Sequence, residues 1–173
     1  MKHFYFIRHG LTEMNKAGLW SGTTETPLTK EGRAQATAAG KELARGKVHI
    51  DHIIASPLTR AHETARLVAK EIHYPEKDIE LNSLFIERHF GALEGQPWSV
   101  DVDLDGVVDI ETSDEILERA KLAITYLESL PHESILVVAH GSIGRAIRSH
   151  LIADHPYGAV HLKIENASIH KWI

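Results

Sequence analysis

The chain has 173 residues, 43% of them hydrophobic and 25% charged, with a formal net charge of −5 and no cysteine. This length suits one domain, expected over residues 1–173, whose core needs neither disulfide nor structural metal. The lack of cysteine excludes thiol catalysis and thiolate metal sites. The negative balance argues against broad adhesion to nucleic acid, and no apolar run approaches the roughly 20 residues that cross a bilayer. A soluble cytoplasmic protein with no membrane or nucleic-acid partner is expected, with any anion site focused in one pocket.

In chain order, "HFYFI" reads as a strand and ends abruptly in Arg8, His9 and Gly10. "TKEGRAQATAAGKELARG" reads as a helix closed by Gly46, and "DHIIA" as a buried strand. "SPLTRAHETARLVAKEI" offers Ser56 as N-cap and Pro57 at the first helical position. "TSDEILERAKLAITYLESL" carries a capping box, Thr112 with Glu115, ahead of Ile116, Ala120, Ala123, Ile124 and Leu127 at helical spacing. "ILVVA" is a buried strand, "SIGRAIRSHLIA" the helix after it, and "AVHLKI" with "ASIHKWI" a terminal hairpin turning near Glu165 and Asn166. The alternation predicts an α/β fold of three layers, a mostly parallel central sheet covered by helices on both faces. In such sheets ligands bind outside the carboxyl ends of the strands.

Three segments share one grammar: "FYFI" then "RHG", "HIIA" then "SPLTR", and "ILVVA" then "HGSIGR". Parallel strands would bring Arg8, His9, Arg60 and His140 to one crevice, with Arg60 in the first turn of its helix near free N–H groups. Two arginines and two histidines suit phosphate, because the planar guanidinium can hold two oxygens at once. A histidine between such cations loses its proton readily and is available as nucleophile or base. His9 is the natural candidate, and spacing alone leaves His140 open as attacker or donor.

Arg8-His9-Gly10 with Thr12 and Asn15, "SGTTETPLTKEGRAQA", "SPLTRAHETA", "LFIERHFGALEG" and "VVAHGSIGRAI" resemble, in order and over most of the chain, the motifs of the histidine phosphatase superfamily, also called phosphoglycerate-mutase-like. A lone R-H-G would be weak, whereas five ordered matches are not. The resemblance implies that His9 becomes phosphorylated, that Arg8, Arg60 and His140 hold the phosphoryl group, and that Asn15 contacts phosphate. It further implies that Ser21 and Gly22 lie on a loop touching substrate, that Glu87 protonates the leaving oxygen, and that neither metal nor other cofactor takes part. The reaction so implied is hydrolysis of a small phosphorylated metabolite through a phosphohistidine.

The remaining histidines, His3, His49, His52, His62, His73, His132, His150, His155, His161 and His170, read as surface or half-buried structural residues without metal spacing. His89 reads as partly exposed, Glu94 as structural, and Arg88, Arg145 and Arg148 as surface charges, with Arg145 the one that can pair near the pocket. Asp101, Asp103, Asp105 and Gly106 match the start of a calcium loop. Its twelfth position falls on Thr112, so an acidic lid over residues 95–112 is preferred to a metal site. This lid stands where many relatives carry a Pro-Gly-Gly-Glu-Ser-like element, and Glu25 stands where many have Asp. The short lid, and a chain that stops after its last predicted strand, favour hydrolysis over phosphoryl return in a mutase, and a phosphoglycerate mutase or a phosphoprotein phosphatase of the same fold is the second reading. A catalytically silent phospholigand-binding protein is the alternative of another class. Intact His9, Glu87 and His140 count against it.

Overall fold

The computed structural model describes residues 2–158 and 163–173, the side chain of Asp105 excepted. Strand β1 (His3–Arg8) alternates its side chains, sending Phe4 and Phe6 to one face and Ile7 to the other. Strand β4 (Ser134–Ala139) is buried along its whole length, as expected of a central parallel strand. It lies between β1 and β2 (His52–Ala55) and is parallel to both. The short β3 (Glu80–Leu81) extends the sheet beside β2, and β5 (Ile169–Lys171) closes the other edge antiparallel to β1, giving the order β3-β2-β4-β1-β5.

Helix α1 (Glu13–Lys16) is a single turn after β1, capped by Thr12. On one face of the sheet, α2 (Lys30–Arg45) and α3 (Thr59–Glu71) pack Ala39, Leu43, Ala65, Val68 and Ala69 against Ile7, Ile53, Leu136 and Val138. On the other, α4 (Ser113–Ser129) and α5 (Gly141–Leu151) pack Ile116, Ala120, Leu127, Ile143 and Ile147 against Phe4, Phe6, Ile135 and Val137. This is the three-layer α/β architecture expected from the alternation of elements. Among the described residues no helix is long and apolar enough to cross a membrane.

Gly46 closes α2 as expected, in the right-handed region, and the left-handed residue after it is Lys47 at φ 51°. Two local expectations change. The helix after β2 starts at Thr59, not at Pro57, with Leu58 as N-cap; the Ser56 hydroxyl accepts from the Leu58 N–H at 3.3 Å and lies 2.7 Å from His140 Nε2. Of the terminal hairpin, residues 159–162 lie outside the described residues. Its second segment is β5, preceded by a turn through Asn166 and Ala167.

Candidate active site

The three parallel strands end level. The Arg8 position is in register with Ala139 and Ala55 with Val138, so the next residues, His9, His140 and Ser56, emerge side by side. The His9 N–H donates to the Ala139 carbonyl at 2.9 Å and the Ser56 N–H to the Val138 carbonyl at 3.0 Å, which fixes that alignment. His9 and His140 are 3% and 0% exposed, and their ring centres stand 5.1 Å apart. Gly10 is there for close approach. A Cβ on it would meet the Gly32 carbonyl oxygen at 2.3 Å, where α2 begins under the loop.

Arg60, 1% exposed, sits in the first turn of α3 and donates to the carbonyls of Thr24 at 2.9 Å and Gly22 at 2.5 Å. Arg8 is half-buried and donates to the Ile164 carbonyl at 2.8 Å. The Nε of each is enclosed without a hydrogen-bond partner, and neither guanidinium has an ion pair among the described residues. Two enclosed cations hydrogen-bonded to neutral carbonyls, with Glu87 the first of the carboxylates that act on each from a distance, form a site of concentrated positive charge that suits an anion.

Burial first, then the Arg60 and Arg8 guanidinium groups, hold His9 well below the usual histidine range; a hydrogen bond to Gly10 opposes them. His9 Nδ1 lies 2.7 Å from the Gly10 carbonyl, which only accepts, so the ring proton of the neutral form is on Nδ1 and the lone pair is on Nε2. His140 is likewise held well below the usual range, by burial and then by Arg60, His9 and Arg8. Its Nε2 is 2.7 Å from the Ser56 hydroxyl, while Nδ1 is buried without a partner.

Glu87, 9% exposed, accepts from the N–H groups of Ser142 and Ile143 at 3.1 Å and of Arg88 at 2.9 Å. Its carboxylate therefore sits on the N-terminus of α5, one turn from His140. The loop carrying Ser21 and Gly22 is tied down by Glu94, which accepts from the N–H and hydroxyl of Thr23 and Thr24 and from the Phe90 N–H. Gly22 has φ 50°, and a Cβ there would collide with Glu94 Oε1 at 2.0 Å. Ser21 Oγ is enclosed without a partner. Asn15 completes the capping box with Thr12, and Asn166 Nδ2 bridges from Asn15 Oδ1 at 3.3 Å to the His9 carbonyl at 2.9 Å. Arg8, His9, Arg60, Glu87 and His140 are thus gathered around the ends of β1, β2 and β4, with the Asn15, Ser21 and Gly22 segments on their border.

Other assignments sort differently. Glu94 has the structural role expected, and His89 is exposed, its Nδ1 2.7 Å from the Asp109 carbonyl. Arg88 and Arg148, read from sequence as surface charges, are 2% and 8% exposed; Arg88 Nε donates to the Glu111 carbonyl at 2.7 Å. Apolar flanks do not announce a buried arginine when its partners come from distant segments. Sequence reading also missed Ser56 as the partner of His140, and Arg119, which joins both Glu111 oxygens at 2.7 Å and donates to the Leu84 and Ile86 carbonyls just before Glu87. A lone arginine on the inner side of an amphipathic helix was the available signal for Arg119. Glu25 accepts from the Thr59 N–H at 3.1 Å and supplies the missing cap of α3.

With this geometry in hand, the chain was compared with known proteins. A sequence profile of the histidine phosphatase superfamily (branch 1) matches residues 4–172. The uncharacterized phosphatase PhoE of Bacillus subtilis is 29% identical over 154 residues, 87% of this chain and 77% of the relative. A 2,3-bisphosphoglycerate-dependent phosphoglycerate mutase of Haemophilus influenzae is 29% identical over 193 residues, 85% of this chain and 83% of the relative. The crystal structure of the alpha-ribazole phosphatase from Shigella flexneri superposes with a TM-score of 0.81 at 25% identity, covering 98% of this chain and 89% of that one.

Proposed function

The chain belongs to the histidine phosphatase superfamily, branch 1, and from that premise we propose that it hydrolyses phosphate monoesters through a phosphohistidine formed on His9. The observation that carries the reading is a neutral histidine, its lone pair placed on Nε2 by the Gly10 carbonyl, enclosed with two arginines that have no ion pair among the described residues.

In the first step His9 Nε2 attacks phosphorus and the bond to the ester oxygen breaks. Glu87, carrying a proton, gives it to that oxygen, and the alcohol leaves. In the second step water attacks the phosphohistidine, Glu87 takes a proton from it, the P–N bond breaks, and inorganic phosphate departs with His9 neutral again. Arg8 and Arg60 neutralise the charge on the equatorial oxygens in both steps, the neutral His140 ring offers them a hydrogen bond, and Asn15, Ser21 and Gly22 border the phosphoryl group. The donors are amide, imidazole and guanidinium groups, so no metal enters the scheme.

Hydrolysis is preferred to phosphoryl return by the lid. Residues 95–112 hold Asp101, Asp103, Asp105, Asp109 and Glu111 and no lysine, arginine or histidine. A mutase must retain a phosphorylated, multiply anionic intermediate, and such a lid offers it no cation. In assay, wild-type protein is expected to release phosphate from monoesters, insensitive to chelator and inhibited by vanadate. His9→Ala should lower turnover at least about 10³-fold and abolish acid-labile covalent phosphate. Retained labelling would remove His9 from the scheme, and isomerised phosphoglycerate without phosphate release would replace hydrolysis by the mutase reaction.

A further inference from the structure

Beside the phosphate site stands an aromatic wall that the chemistry above does not use. Trp20 is 8% exposed and lies with its ring centre 4.7 Å from Phe90 and 6.0 Å from Trp98. Trp98 is 53% exposed. Both ends of this wall are joined to the site. Trp20 precedes Ser21 and Gly22, whose carbonyl holds Arg60, and Phe90 is three residues from Glu87. The two strips are held face to face by backbone bonds from the Trp20 N–H to the Gln96 carbonyl at 2.9 Å, from the Gly95 N–H to the Trp20 carbonyl at 2.8 Å, and from the Trp98 N–H to the Gly18 carbonyl at 2.8 Å.

Two more observations concern what fits against it. The Trp20 indole N–H and the adjacent Ser21 hydroxyl are both enclosed, so the surface this wall presents at Trp98 is apolar ring. Beyond Trp98, as far as Thr112, the charged residues are all acidic, and Val100 and Val108 among them are 62% and 69% exposed. A second anionic group on the substrate would find no cation on that segment, whereas a flat uncharged ring would cover apolar surface.

We propose that the leaving alcohol of the substrate carries an uncharged aromatic ring that seats on the exposed face of Trp98 beside Trp20. The proposal rests on the phosphatase reading and narrows it.

The test compares benzyl phosphate, ethyl phosphate and 3-phosphoglycerate, the first two having leaving alcohols of similar basicity. Wild-type kcat/KM for benzyl phosphate should exceed that for ethyl phosphate by about tenfold, in line with one ring stacked on an aromatic wall, and 3-phosphoglycerate should be the poorest. Trp98→Ala should bring the benzyl-to-ethyl ratio near one, chiefly through KM. An unchanged ratio in Trp98→Ala, or a wild type that prefers 3-phosphoglycerate, would overturn the proposal. Binding of benzylphosphonate, read by isothermal titration calorimetry, separates the two layers. Binding weakened in Trp98→Ala but with no hydrolysis of any ester keeps the ring subsite and sinks the phosphatase reading. Hydrolysis with no Trp98-dependent binding does the reverse.

Discussion

Burial first, and then the Arg60 and Arg8 cations in the same enclosed space, disfavour protonation of His9 and His140 and hold both rings neutral. The folded protein therefore binds fewer protons at these rings than the unfolded chain does. Their contribution to stability is fully present above the ordinary histidine value and is lost as pH falls below about 6.5, by up to about 1.4 kcal/mol per ring per pH unit. Urea unfolding followed in steps from pH 7.5 to 5 should show that decline, and His140→Asn should flatten it. An equally steep decline in the variant would place the acid sensitivity elsewhere. Gly22 makes a second prediction at this scale. Alanine there would meet both the positive φ and the Glu94 carboxylate, so Gly22→Ala should cost about 1–3 kcal/mol in a thermal or urea melt. Arg60 should lose its grip on the Gly22 carbonyl, and turnover should fall with it.

Among the elements, α4 does more than cover the sheet. Arg119 on its inner side grips the Leu84 and Ile86 carbonyls before Glu87, and its partner Glu111 takes Arg88 Nε on its carbonyl just after Glu87. The acidic segment before α4, the Glu87 segment and the helix are joined through one ion pair that is largely sheltered from water. Arg119 is thus a positioning residue for Glu87, and Arg119→Gln should lower kcat about tenfold or more while moving KM less. Arg119→Lys should recover only part, because an ammonium cannot serve two carboxylate oxygens and two carbonyls in one plane. Equal losses in kcat and KM, with full recovery by lysine, would argue for a general packing role. The helix boundaries illustrate what sequence conveys at this scale. The Thr112 capping box lies within four residues and was legible, whereas α3 is capped by Glu25 from another loop, so its start was misread from Ser56 and Pro57.

At the scale of the whole molecule, β5 closes the sheet edge beside the strand that carries Arg8 and leads into His9. Its flank Trp172 stacks on Phe6 at 4.4 Å, 7% exposed, and donates its backbone N–H to Phe4. Trp172→Ala should cost about 3–5 kcal/mol in urea unfolding. The variant that folds should retain its aromatic preference, since Trp172 packs on Phe6 whereas Trp98 packs on Trp20. The sequence by itself determined the alternation of strands and helices, their two faces, and the ordered residues Arg8, His9, Arg60, Glu87 and His140. Each of those signals is carried by neighbours two to four positions apart or by short motifs. Only the tertiary structure decided that Ser56 serves His140 from 84 residues away, that Arg88 is buried, that Arg119 braces Glu87, and that Trp98 stands against Trp20. Partners chosen across such distances depend on which strands lie side by side, and the local pattern of a chain does not encode that choice.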